Sequence, residues 1–179
     1  MHRPLAVPVA LAVLACGVPF ARASRYGNAP QAVTLAPPGR DGAQVFRGCV
    51  LAAARANAVP PAVLLMLLQV ERGRLGEVSA NANGTVDIGP WQVNEIWVPR
   101  LAAHWGLSRE ETHRLVREDL CANAYAAAWI FGLNLREARG DLWEGVARYH
   151  SMRGDLQALY LAKALRAAQA LKLEVRRDR

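Results

Sequence analysis

Residues 62–70 read Ala-Val-Leu-Leu-Met-Leu-Leu-Gln-Val, so Glu71 is the one carboxylate on a segment that is apolar but for Gln69, and stands at its C-terminal end. If the segment is a buried helix, desolvation disfavours the carboxylate anion there, and so does the negative end of the helix dipole. A carboxyl group kept protonated near neutrality can act as a general acid. The competing account is a solvated helix terminus, the commoner fate of a helix-end glutamate, with Arg72 and Arg74 near enough to hold it ionised.

A second polar concentration follows at once. Residues 81–94 read Asn-Ala-Asn-Gly-Thr-Val-Asp-Ile-Gly-Pro-Trp-Gln-Val-Asn, which brings the amides of Gln92 and Asn94, the carboxylate of Asp87 and the indole of Trp91 into one stretch. Side-chain amides pair donors with acceptors in the way sugar hydroxyl and acetamido groups require, and an indole can stack on a pyranose face. That is the chemistry of a carbohydrate site. Asn83, Gly84 and Asn94 also suit an Asx-rich turn, with Gln92 and Asn94 capping the next helix, and both roles can coexist.

The elements that must position these groups are mostly helical. Val45, Phe46, Cys49, Val50 and Ala53 recur at helical spacing behind Asp41, which is placed to cap the helix start. Pro60-Pro61 opens a helix over 62–71 with almost no polar face, so it is expected to be central and buried. Gly73 and Gly76 end it, and 77–90 reads as a loop or small hairpin, with strand signal only around 86–88. A short helix is expected over 93–101, and Ser108-Arg109-Glu110-Glu111 has capping-box spacing for another. Asp119 begins an Ala-rich helix running to about 136, and residues 141–144 begin one reaching Tyr149. Leu156, Leu159, Tyr160 and Leu165 mark the last.

The chain of 179 residues suits one domain of ordinary size plus a short disposable segment. Met1-His2-Arg3, an apolar run over 4–20 and Ala21-Arg22-Ala23 together predict a signal peptide at 1–23 and a periplasmic destination. That run is shorter than the ~20 residues of a spanning helix. Cys16 lies in a partial lipobox, an alternative route to a lipoprotein. A Pro- and Gly-rich linker at 24–42, a domain at 43–173 and a basic tail at 174–179 complete the division. Removing Arg3 and Arg22 lowers the formal charge of +7 by two, to +5, which favours an anionic polymer as partner. Scattered basic residues, few aromatics and no recognition motif argue against nucleic acid, and the address suits cell wall. Four isolated histidines and no phosphate-binding glycine loop leave no metal or cofactor expected. Cys49 and Cys121 remain in the mature domain, where an oxidising compartment favours one disulfide over two buried thiols.

Val70-Glu71-Arg72-Gly73, followed by residues 87–94 and then Tyr149, resembles the soluble lytic transglycosylase family of the lysozyme-like superfamily. The likeness is greatest to the small members that accompany type IV secretion and conjugation systems, and it spans roughly residues 46–161. It implies a mainly α, lysozyme-like domain with a buried central helix and a small loop or hairpin lobe. It also implies catalysis by Glu71 and a cleft lined by Gly89, Gln92 and Tyr149; the chemistry of the side chains themselves adds Asp87, Trp91 and Asn94 as substrate-binding candidates. Cys49 can pair with Cys121. The substrate implied is the peptidoglycan glycan strand, cut between N-acetylmuramic acid and N-acetylglucosamine with closure of a 1,6-anhydro ring. A partner secretion or conjugation apparatus is implied as well. Tyr149 is equally readable as a core aromatic with a satisfied hydroxyl, and His150 as structural or exposed. Pro90-Trp91 stands where the family usually has Leu-Met, and residues 148–151 replace Ala-Tyr-Asn-Ala. Asp87, sixteen residues after Glu71, also falls where animal-type lysozymes place a second carboxylate, so a hydrolase using both remains open. So does a glycan-binding assembly factor without turnover.

Overall fold

The computed structural model describes residues 40–177; the expected signal peptide, Cys16 and residues 24–39 of the expected linker lie outside them. In chain order the elements are α1 (Arg40–Ala56), α2 (Pro61–Glu71), β1 (Val78–Ala80), β2 (Val86–Ile88) and β3 (Val93–Asn94). A 3-10 turn at Glu95–Trp97 leads into α3 (Val98–Trp105), α4 (Arg109–Glu118), α5 (Leu120–Glu137), α6 (Leu142–His150) and α7 (Gly154–Arg177). The described chain is thus mainly helical, as its periodicity requires.

Several helix starts follow directly from short polar side chains. Ser108 Oγ accepts the Glu111 N–H at 3.0 Å, an Asp119 carboxylate oxygen accepts that of Ala122 at 2.9 Å, and Asp141 accepts those of Trp143 and Glu144. Each cap contributes about 1 kcal/mol. Other boundaries differ from expectation. Helix α1 already begins at Arg40, so Asp41 lies in its first turn and residues 40–42 belong to the helix instead of a linker. Helix α7 continues through Arg177, carrying residues expected in a free basic tail. Val93 and Asn94 form a strand, not the start of a helix, because they pair with Ile88 and Asp87.

The loop lobe is a three-stranded antiparallel sheet in the order β1-β2-β3. Its β1–β2 turn is closed by side chains: Asn81 Nδ2 donates to Thr85 Oγ1, and Thr85 donates through both its backbone N–H and its hydroxyl to Asn83 Oδ1. The local competition of Asn and Thr side chains with the backbone stops a helix from forming here.

The helix at the centre is α5, whereas the apolar composition of α2 pointed to α2. Ten residues of α5 are buried, five of them alanines, and the helix meets α1, α2, α4, α6 and β3. Alanine signals little by hydropathy yet lets neighbouring backbones approach closely, so a central helix built on it looks unremarkable in sequence. In α2, Val63, Leu64, Met66 and Leu67 are buried while Leu65, Leu68 and Val70 are only partly so.

Cys49 on α1 and Cys121 on α5 form a disulfide with Cα atoms 4.7 Å apart, closing a separation of 72 residues. A cross-link of that span limits the unfolded chain by about 4 kcal/mol in the loop-entropy account. Reduction, or a paired Cys49→Ala and Cys121→Ala change, should therefore lower unfolding free energy by roughly 3–4 kcal/mol in urea titrations. A loss below about 1 kcal/mol would show that the unfolded chain gains little freedom when the bridge opens.

Candidate active site

The apolar helix α2 ends at Glu71, and the chain leaves it through Arg72, whose left-handed backbone (φ 53°) donates its N–H to Leu68 O. The left-handed stop is thus Arg72 and not Gly73. Gly73 meets a different demand: a Cβ there would collide with the Gly89 carbonyl and the Gln92 amide, and its N–H donates to Pro90 O at 3.2 Å. Only a residue without a side chain lets the end of α2 lie against the turn at 89–92.

Gly89 also cannot carry a side chain. Its φ is +68°, and a Cβ would strike the Asn123 carboxamide. Asn123, fully buried on α5, donates through Nδ2 to Ile88 O (3.0 Å) and Val116 O (2.7 Å) and accepts the Trp91 N–H on Oδ1 (3.0 Å). Gln92, itself left-handed at φ 49°, folds its amide back onto Gly89 O at 3.0 Å.

Trp91 is not a sugar platform. It is 0% exposed, donates Nε1–H to Leu64 O at 2.8 Å and stacks on Phe46 of α1. The indole therefore welds the turn to α1 and α2. The Tyr149 hydroxyl donates not to Glu71 but to Trp91 O, at 3.0 Å. Burial, together with the nearby charges of Glu71 and Asp87, holds the Tyr149 phenol well above its usual range, so it remains a donor.

Glu71 is instead bonded by Tyr160 of α7, whose hydroxyl donates to Oε1 at 2.5 Å. In the sequence Tyr160 figured only as one apolar position of the last helix. The sole local signal was that a buried tyrosine needs a partner for its hydroxyl, and that partner is 89 residues away. Burial raises the Glu71 pKa to about 7; the Asp87 charge adds to the rise, while the Tyr160 bond and the Lys163 ammonium oppose it. Neither arginine that follows supplies the counter-charge: Arg72 turns its Nε to Gln69 O, and Arg74 sits 3.8 Å from Glu77.

Asp87 lies in the middle of β2, close enough for its charge to be felt at Glu71. Its Oδ1 accepts from Asn94 Nδ2 at 2.7 Å, and the same Asn94 nitrogen donates to Thr85 Oγ1. Asn94 Oδ1 takes the Ile96 N–H, so this residue caps the 3-10 turn as expected while also restraining the carboxylate. The structure thus brings Glu71, Asp87, Gln92, Asn94, Tyr149 and Tyr160 to one region, and removes Trp91 from solvent. Among the described residues no group of three or more His, Cys, Asp or Glu side chains is placed to hold a metal ion. Comparison of the chain with protein-family models and with characterised proteins finds no match.

A carboxyl group whose pKa rises from 4.5 to about 7 on folding contributes stability that is complete below pH 4.5 and is lost as pH rises through about 7. Glu71→Gln, which carries no charge at any pH, should match the native chain near pH 4 and exceed it by about 1–3 kcal/mol near pH 8 in thermal denaturation, allowing for partial solvation. Equal stability at both values would mean that the native carboxyl is not held neutral.

Proposed function

We propose that this chain is a peptidoglycan lytic transglycosylase with a lysozyme-like fold. One observation carries the reading: a carboxyl group at the end of an apolar helix, desolvated to a pKa of about 7 and oriented by a tyrosine hydroxyl, beside a segment rich in amides. The order Glu71, then Gly89 and Gln92, then Tyr149, and the small sheet that follows α2, support the family and fold assignment.

In this mechanism protonated Glu71 gives its proton to the oxygen of the β-1,4 bond between N-acetylmuramic acid and N-acetylglucosamine. The C1–O bond breaks with its electron pair leaving on that oxygen, and the substrate's 2-acetamido group stabilises the cation. The Glu71 carboxylate then takes the proton of the muramic C6 hydroxyl, whose oxygen closes on C1. No water is consumed, and Glu71 returns to its protonated form. Tyr160 keeps Oε1 oriented, and the turn at 89–92 lines the approach. For an exported chain the cut would fall in the cell wall, where an opening admits a secretion or conjugation apparatus.

A hydrolase using Asp87 is the second reading, favoured by the electrostatic coupling of the two carboxyl groups. Against it, Asp87 Oδ1 is engaged by Asn94, whose amide is also bonded to Thr85.

Digestion of peptidoglycan by residues 24–179, read by mass spectrometry, should yield muropeptides lighter by one water than hydrolytic ones. The rate should fall as pH rises above about 7, where Glu71 loses its proton. Glu71→Gln should reduce it by at least about a hundredfold. Reducing-end products would transfer the assignment to a two-carboxylate hydrolase. No products from the native chain would leave a glycan-binding assembly role.

A further inference from the structure

His150 is the last residue of α6, and its exposed imidazole lies flat on the ring of Tyr160, with centroids 4.5 Å apart and planes 3° from parallel. Tyr160 in turn donates to Glu71 Oε1. Three helices, α6, α7 and α2, thus contribute one side chain each to a line running from solvent to the carboxyl group.

A phenol hydroxyl stays on its acceptor only as well as its ring is held. A flat stack restrains the ring plane and can bias a side-chain population by up to about tenfold. We infer that His150 is a positioning residue: by stacking on Tyr160 it holds the phenol hydroxyl on Glu71 and so fixes the geometry of the acid without touching the reacting atoms. The inference rests on Glu71 being the acid of the proposed reaction.

The charges that reach the imidazole are Lys163 of α7 and Asp87 of β2, with Glu71 one hydrogen bond beyond Tyr160. Partial desolvation of the stacked ring and the Lys163 charge favour the neutral form, against Asp87. A neutral ring stacks without adding a cation beside the acid, whereas an imidazolium would join Lys163 in favouring ionised Glu71. His150 therefore suits its place while uncharged, the form that its lowered pKa favours.

The test compares His150→Ala and His150→Asn, which remove the stacked ring, with His150→Phe, which keeps a ring but no nitrogen. Carbon-13 NMR of the Glu71 carboxyl is followed against pH without substrate, and kcat and KM are measured on peptidoglycan. Loosening a bond that favours the carboxylate should raise the Glu71 midpoint by about half a pH unit in the Ala and Asn variants. Their kcat should fall about five- to tenfold with KM within about twofold, and His150→Phe should restore both. An unchanged midpoint in a folded Ala or Asn variant overturns the inference. So does a rise in KM alone that Phe does not rescue, which would mark His150 as a glycan contact. The titration needs no turnover, so a native chain that releases no product would sink the cleavage reading while the stack is still judged on its own.

Discussion

The buried carboxamide of Asn123 is the constraint on which the site depends. A turn with two left-handed residues, Gly89 and Gln92, has no regular ladder to satisfy its backbone, and it lies against the interior, where unpaired polar groups cost about 1–3 kcal/mol each. Asn123 takes the Trp91 N–H of the turn and gives its two amide hydrogens to Ile88 O, just before the turn, and to Val116 O of α4, which ties the turn to both elements. Because it stands on α5, the most enclosed helix, the turn inherits the rigidity of the core. Trp91 then extends the attachment to α1 and α2 through its stack on Phe46 and its bond to Leu64 O, and Tyr149 adds α6 through Trp91 O. Four helices thereby hold a turn of a few residues against the end of α2.

That attachment explains the electrostatics of Glu71. The carboxyl is desolvated at the end of an apolar helix that lies against the turn, with glycines at 73 and 89 allowing backbone to approach backbone. The Tyr160 hydroxyl and the Lys163 charge oppose the burial, but they do not cancel it, and the result is a proton held near neutrality instead of a fully ionised side chain. The cost is carried by the folded state at alkaline pH. An acid poised in this way is the ordinary arrangement for protonating a leaving oxygen, and it is the physical basis for the glycan-cleaving role proposed.

Hydrogen bonding divides the polar residues of the region into two sets. Asn81, Asn83, Thr85, Asp87 and Asn94 are linked to one another by side-chain hydrogen bonds within the sheet lobe. Glu71, Tyr160 and His150 form a separate line across α2, α7 and α6. The two sets communicate through charge, because the Asp87 carboxylate is felt at both Glu71 and His150.

The sequence by itself determined the helical character, the caps at Ser108, Asp119 and Asp141, the position of Glu71 at the end of α2 and the polar segment after it, since all of these are set by neighbours within a few residues. Periodicity and capping are local, and so they are readable. The tertiary structure alone decided that Trp91 is core and not a sugar platform, that Tyr149 bonds the turn, that Tyr160 bonds Glu71, and that α5 takes the centre from α2. An indole or a phenol suits a cleft and an interior equally well by composition. Which one it occupies depends on where a hydroxyl or N–H finds its acceptor, and here those acceptors lie 27, 58 and 89 residues away along the chain.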